Sequence, residues 1–152
     1  MRISSRITNQ QGKHTITIET NGREQQLPIR PGGDGFGSSV NGGELLFSAL
    51  ATCYCNDLYR EARKRGIEVV RVRIEVTGDF EGEGEPARNI SYRVSVDAKA
   101  PEQTVLELMQ HTDRMAEIQN TLRQSSPVFL AECQAREITQ IPAANARGSA
   151  TH

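Results

Sequence analysis

Ile16 and Ile18 stand two apart within residues 14–19, His-Thr-Ile-Thr-Ile-Glu, so an extended chain there has one apolar face. Asn21-Gly22 follows, then a second strand-like run over residues 23–29. An Asn-Gly step between two such runs is a strong hairpin signal, because both turn positions take positive φ. Residues 1–8 alternate more weakly and predict a further short strand, and Pro28 and Pro31 close the hairpin on an edge strand. Residues 31–43, with six glycines, read as a flexible connection running over a helix end. They lack the Gly-Lys-Ser/Thr ending of a phosphate-binding loop.

Asn41 with Glu44 three residues on forms a capping-box variant, and no proline or glycine interrupts the chain from there to Gly66. The pattern predicts a helix of about 24 residues ending at Arg65, roughly 36 Å long at the usual rise. From Leu45 to Cys55 it is small or apolar almost all round, as expected of a helix buried on every side. From Asp57 to Arg65 it is amphipathic and expected to reach the surface, with basic residues at the negative end of the helix dipole.

Val70, Val72, Ile74 and Val76 then alternate with polar residues, as do Ile90, Tyr92, Val94 and Val96, across the acidic, glycine-rich turn of residues 78–86. This is an antiparallel pair. Pro101 opens a helix with Val105, Leu108, Met109 and Thr112 at helical spacing, a short helix is expected over residues 115–124, and residues 128–141 are expected to return as a final strand pair or a single long strand. Strands in runs, not in strict alternation with helices, point to an α+β fold of antiparallel sheets around a long central buried helix. Residues 1–141 are expected to form the single domain and residues 142–152 a mobile tail.

The chain has 152 residues, net charge −1, 36% hydrophobic and 5% aromatic residues, and no Trp. The lean aliphatic core favours self-association, and the balanced charge gives no basic footprint for nucleic acid or for a membrane surface. No apolar run approaches the roughly 20 residues of a membrane span and no secretory signal opens the chain, so a cytoplasmic location is expected. In that reducing setting Cys53, Cys55 and Cys133 are expected to be thiols, not a disulfide framework. No CxxC pair is present, and no metal or other cofactor is implied.

Cys53 is the residue that stands out. Lying a dozen residues into its helix, it gains nothing from the helix dipole, so an activated thiolate there needs a cation supplied by tertiary structure or a partner chain. Arg2, Arg6, Lys13, Arg23 and Arg30 are the candidates. The stretch Gly42-Gly43-Glu44-Leu45-Leu46-Phe47-Ser48-Ala49-Leu50-Ala51-Thr52-Cys53, with Arg65-Gly66-Ile67 and Ile118-Gln119-Asn120-Thr121-Leu122, resembles the OsmC/Ohr family of osmotically induced and organic hydroperoxide resistance proteins. The likeness runs over about residues 5–140. It implies an intertwined α+β homodimer with central long helices, and thiol-dependent reduction of a hydroperoxide by Cys53, with Glu44 and Lys13 at the positions of the residues that hold the thiolate.

The chain departs from that pattern in three places. The second, resolving cysteine of the family is expected near Ala116, where none stands. The dedicated peroxidases carry a glutamate where this chain has Gly43, and Lys13 replaces an arginine. Cys133 and Cys55 remain as possible resolving thiols, although Cys55 points about 200° away from Cys53 on the same helix. The expected function is therefore a peroxidase using an external thiol reductant, in oxidative stress defence. The alternatives are a non-catalytic dimer binding a small apolar ligand at its interface, or a sensor built on Cys53 and Cys55.

Overall fold

A computed structural model describes residues 1–125, 128–129 and 131–132. Three antiparallel strands come first: β1 (Ile3–Gln10), β2 (Lys13–Thr20) and β3 (Arg23–Leu27), in the order β1-β2-β3. The β2–β3 turn is the expected Asn21-Gly22, with φ of 49° and 80°. The pairing Ile7↔Ile16↔Leu27 gathers the apolar residues of this sheet on one face. Ile16 is buried, whereas Ile3 and Ile7 are 58% and 61% exposed, because the sheet has no extensive packing against the rest of the chain.

The helix α1 (Gly42–Lys64) begins as the sequence predicts. Asn41 Oδ1 accepts from the Glu44 N–H at 2.9 Å, and the Asn41 N–H donates to Glu44 Oε2 at 2.7 Å. Two of the orphan donors of the first turn are thereby satisfied. It ends in a Schellman turn: Gly66, at φ 65°, lets the Ile67 N–H reach the Ala62 carbonyl at 3.0 Å and its own N–H reach Arg63 at 3.2 Å.

β4 (Val69–Asp79) and β5 (Arg88–Ala98) form a second, two-stranded antiparallel sheet. Then come α2 (Glu102–Met115) and α3 (Glu117–Arg123), separated by the fully buried Ala116 in an extended conformation. The core lies where α1, α2 and this sheet meet. Tyr54, Leu58, Ala62 and Leu108 form it, with Val72, Ile74, Val94 and Val96 packed on them. Tyr54 donates to the Met109 carbonyl at 2.8 Å and meets Tyr92 edge-on at 5.4 Å. The Tyr92 hydroxyl donates to Asp113, which also pairs with Arg123 at 2.7 Å, so β5, α2 and α3 are locked together.

One expectation about α1 is reversed within the single chain. Its buried residues are Leu50, Tyr54, Asp57, Leu58, Glu61 and Ala62, mostly in the second half, while Ser48, Ala49 and Thr52 are exposed. The second half packs on β4 and α2, and Asp57 and Glu61 tolerate burial because Arg60 and Lys64 neutralise them. The apolar first half has only one side covered, so Cys53 is half-buried, not enclosed. Of the final strand or strand pair expected over residues 128–141, the described residues Val128, Phe129, Ala131 and Glu132 are exposed and not in a strand; the rest, with the expected domain end and tail, lies outside the described residues. No helix among the described residues is long and apolar enough to cross a membrane.

Candidate functional site

Cys53, Asp57, Arg60 and Glu61 recur at three- and four-residue intervals along α1 and therefore share one face. The Cys53 thiol lies 3.6 Å from Asp57 Oδ2 and 3.8 Å from Glu117 Oε2. Arg60 holds the other oxygen of Asp57 at 2.5 Å, lies 3.9 Å from Glu117 Oε1, and donates to Glu61 at 3.1 Å. Glu61 also takes Lys64 at 2.7 Å and His111 at 3.2 Å.

α3 is brought to α1 by Gln119, a buried side chain whose Nε2 donates to the Leu50 carbonyl at 2.9 Å. That bond sits one turn before Cys53 and carries Glu117, the first residue of α3, to the sulfur. Glu117 thus stands next to Ala116, near which the resemblance places a second cysteine.

The electrostatics oppose a stable thiolate. Burial is the largest influence on the Cys53 thiol and pushes its pKa up; the Asp57 and Glu117 carboxylates add to this, and the Ile118 N–H only partly offsets it. The Asp57 carboxyl is also raised, by burial first and by Glu117 beside it, against the pull of Arg60. Glu117 is lowered, chiefly by its own backbone N–H at the start of α3. Hydrogen bonds from Lys64 first and then Arg60, with a smaller contribution from His111, hold Glu61 at about 2.

Cys53 Sγ and the nearest carboxylate oxygens of Asp57 and Glu117 all lie within 4.8 Å of one another, a spacing that a metal ion would also accept. The guanidinium of Arg60 already supplies positive charge to both carboxylates there.

The other sequence-predicted residues are elsewhere in the chain. Glu44 is exposed and engaged in the cap, nine residues or about 14 Å along the helix from Cys53. Lys13 is exposed at the start of β2, and no bond joins it or Glu44 to Cys53 among the described residues. Arg6 is taken up by Glu19 and Glu24 on its own sheet. Cys55 is a free, half-buried thiol, and Cys133 lies outside the described residues. A side chain at Gly43 would meet the Phe80 ring, which lies 2.8 Å from where its Cβ would stand and would have to shift. Phe80 packs with Phe47 at 5.9 Å, over the start of α1.

Asp57, Arg60 and Glu117 were not singled out from the sequence. The spacing Cys53–Asp57–Arg60 carried a readable signal for the first two; Glu117 carried none, because only the docking of α3 brings it in.

A model of the OsmC-like protein family matches residues 35–131, which include α1 and run through α3. The chain belongs to the OsmC-like family. Its fold agrees with solved OsmC-like structures. An OsmC-like protein from Mycoplasma pneumoniae shares 20% identity at a TM-score of 0.54, over 80% of this chain and 86% of that one. A hypothetical protein from Aquifex aeolicus gives 18% and 0.57, over 82% and 88%. An OsmC-like hydroperoxide resistance protein from Jannaschia gives 12% and 0.51, over 83% and 87%. At these identities the likeness concerns the fold. No curated protein matches the sequence.

Proposed function

We propose that this OsmC-like protein is a thiol-dependent peroxidase that reduces organic or hydrogen peroxide through Cys53, serving defence against oxidative stress. The observation that carries this reading is the position of Cys53: a half-buried free thiol at the meeting of α1 and α3, within reach of ionisable side chains. The hydroperoxide resistance named for the Jannaschia structure supports the same chemistry in this fold. A sulfenic acid formed on Cys53 has no facing cysteine among the described residues, so an external thiol reduces it. The compartment that supplies such thiols is the cytoplasm.

The working unit in this reading is a homodimer. The apolar face of the β1-β2-β3 sheet and the exposed side of the first half of α1 are both uncovered in one chain, and each is suited to cover the other's counterpart in a second copy. In that dimer, Lys13 and Glu44 would reach Cys53 only across the interface.

The deciding experiment measures consumption of hydrogen peroxide and cumene hydroperoxide with dithiothreitol as reductant. Wild type is expected to turn over and Cys53→Ser to lose all turnover above background; equal rates in the two would end the reading. A second reading, a dimer that binds an apolar ligand without catalysis, is favoured by one observation. An open groove of about 550 Å³ is lined by Tyr54, Ile90, Tyr92, Val94, Leu106 and Met109. Saturable binding of a fatty acid without peroxide turnover would favour it.

A further inference from the structure

The peroxidase reading leaves a physical difficulty. A thiol attacks a peroxide as its thiolate, yet the charged groups facing Cys53 disfavour one. On α1 these are Asp57, with Arg60 and Glu61 beyond it; on α3 the group is Glu117; and His111 of α2 is turned to Glu61, not to the sulfur. The arrangement suits a different division of labour. Arg60 grips Asp57 by Oδ1 at 2.5 Å, which leaves Oδ2 directed at the Cys53 sulfur 3.6 Å away. The Asp57 side chain is only 5% exposed, so water competes poorly for it.

We propose that Asp57 is the catalytic proton shuttle: its carboxylate takes the Cys53 proton as the sulfur attacks, and returns that proton to the departing oxygen. This rests on the peroxidase reading of Cys53. The sulfur forms a bond to the terminal oxygen of ROOH, the O–O bond breaks with its electron pair going to RO, and the proton held on Asp57 completes ROH. Cys53 is oxidised to the sulfenic acid and the peroxide is reduced to the alcohol. An external thiol then attacks the sulfenic sulfur, releasing water and leaving a mixed disulfide. A second thiol displaces Cys53, which regains its proton, and departs as the external disulfide.

The roles of the neighbours follow. Arg60 is a positioning residue that fixes the carboxylate and keeps it ionised beside Glu117. Burial raises the carboxyl of Asp57 above an ordinary aspartate, which brings the proton affinities of acceptor and thiol closer together and favours transfer.

The test compares two rates in wild type from about pH 6 to pH 8.5. One is alkylation of Cys53 by iodoacetamide, followed on its own peptide by mass spectrometry; the other is peroxide reduction. Alkylation consumes free thiolate and is expected to rise about tenfold per pH unit. Peroxide reduction by the thiol–carboxylate pair is expected to stay nearly flat across the range. Asp57→Asn, which keeps the shape of the side chain, is expected to lower peroxide reduction at neutral pH about a hundredfold. The same variant is expected to hasten alkylation, because a negative charge is gone.

A peroxide profile that climbs in parallel with alkylation would overturn the proposal, as would an Asp57→Asn protein that is as fast as wild type or faster in both reactions. If that variant does not fold, the wild-type profiles decide alone. Turnover that survives in Cys53→Ser fails the peroxidase reading itself; Cys53-dependent turnover that tracks the thiolate removes only Asp57.

Discussion

Glu117→Gln isolates the effect of one charge on Cys53. The carboxylate oxygen lies 3.8 Å from the sulfur, and its side chain is 67% exposed, so the interaction is screened largely as in water. At that distance Coulomb's law gives about 1 kcal/mol in water and about 4 kcal/mol at the dielectric of a protein surface; exposure selects the lower figure. About 1 kcal/mol corresponds to roughly 0.7 of a pH unit. Removing the charge therefore moves the titration of Cys53 down by about that amount and raises its thiolate fraction at neutral pH about fivefold. A less basic thiolate is also a weaker nucleophile, so the net gain in alkylation rate is about two- to threefold. The assay is iodoacetamide labelling at neutral pH in low salt, quantified on the Cys53 peptide so that Cys55 and Cys133 do not contribute. The gain is expected to shrink in about 1 M salt, where the screening length is only a few ångströms. An unchanged or slower rate, with α3 still docked as judged by circular dichroism, would refute the placement of Glu117 beside the sulfur.

Two predictions concern stability. Glu61 is held at about 2, below its unfolded value, so the stability it contributes is complete above about pH 4.5 and is lost as the pH falls from there towards 2. Glu61→Gln is expected to unfold at lower urea than wild type at neutral pH, and the gap is expected to narrow as both are acidified through that window; parallel curves would count against the pairing. Leu108, fully buried on α2 against Tyr54, Leu58 and Ala62 of α1, is expected to cost about 2–5 kcal/mol on truncation to Ala, read as a lowered urea midpoint with the slope unchanged.

The local signals in the sequence were strong where a single stretch of chain decides its own conformation. Asn41 and Glu44 build the cap they encode, Gly66 ends the helix through a positive φ, and Asn21-Gly22 turns the hairpin. From Val72 to Thr77 the alternating residues of β4 pair with those of β5 as their periodicity requires, whereas a register shift between Val69 and Arg71 leaves Val70, expected on the apolar face, exposed. The position of Cys53 on the long helix was equally legible, as was the resemblance that the family match and the solved folds bear out.

What the sequence did not determine is the company Cys53 keeps. An apolar run such as residues 45–55 fixes that the helix seeks cover, not which side finds it within one chain. Burial fell instead on the charged second half, where Arg60 and Lys64, one turn along α1 from Asp57 and Glu61, neutralise these carboxylates under α2 and β4. Gln119, bonding across 69 residues to Leu50, decides that a glutamate of α3 meets the thiol. Such contacts depend on the packing of separate elements, and no spacing along one element records them. The tertiary structure therefore surrounds Cys53 with carboxylates where local sequence alone left its charge environment open.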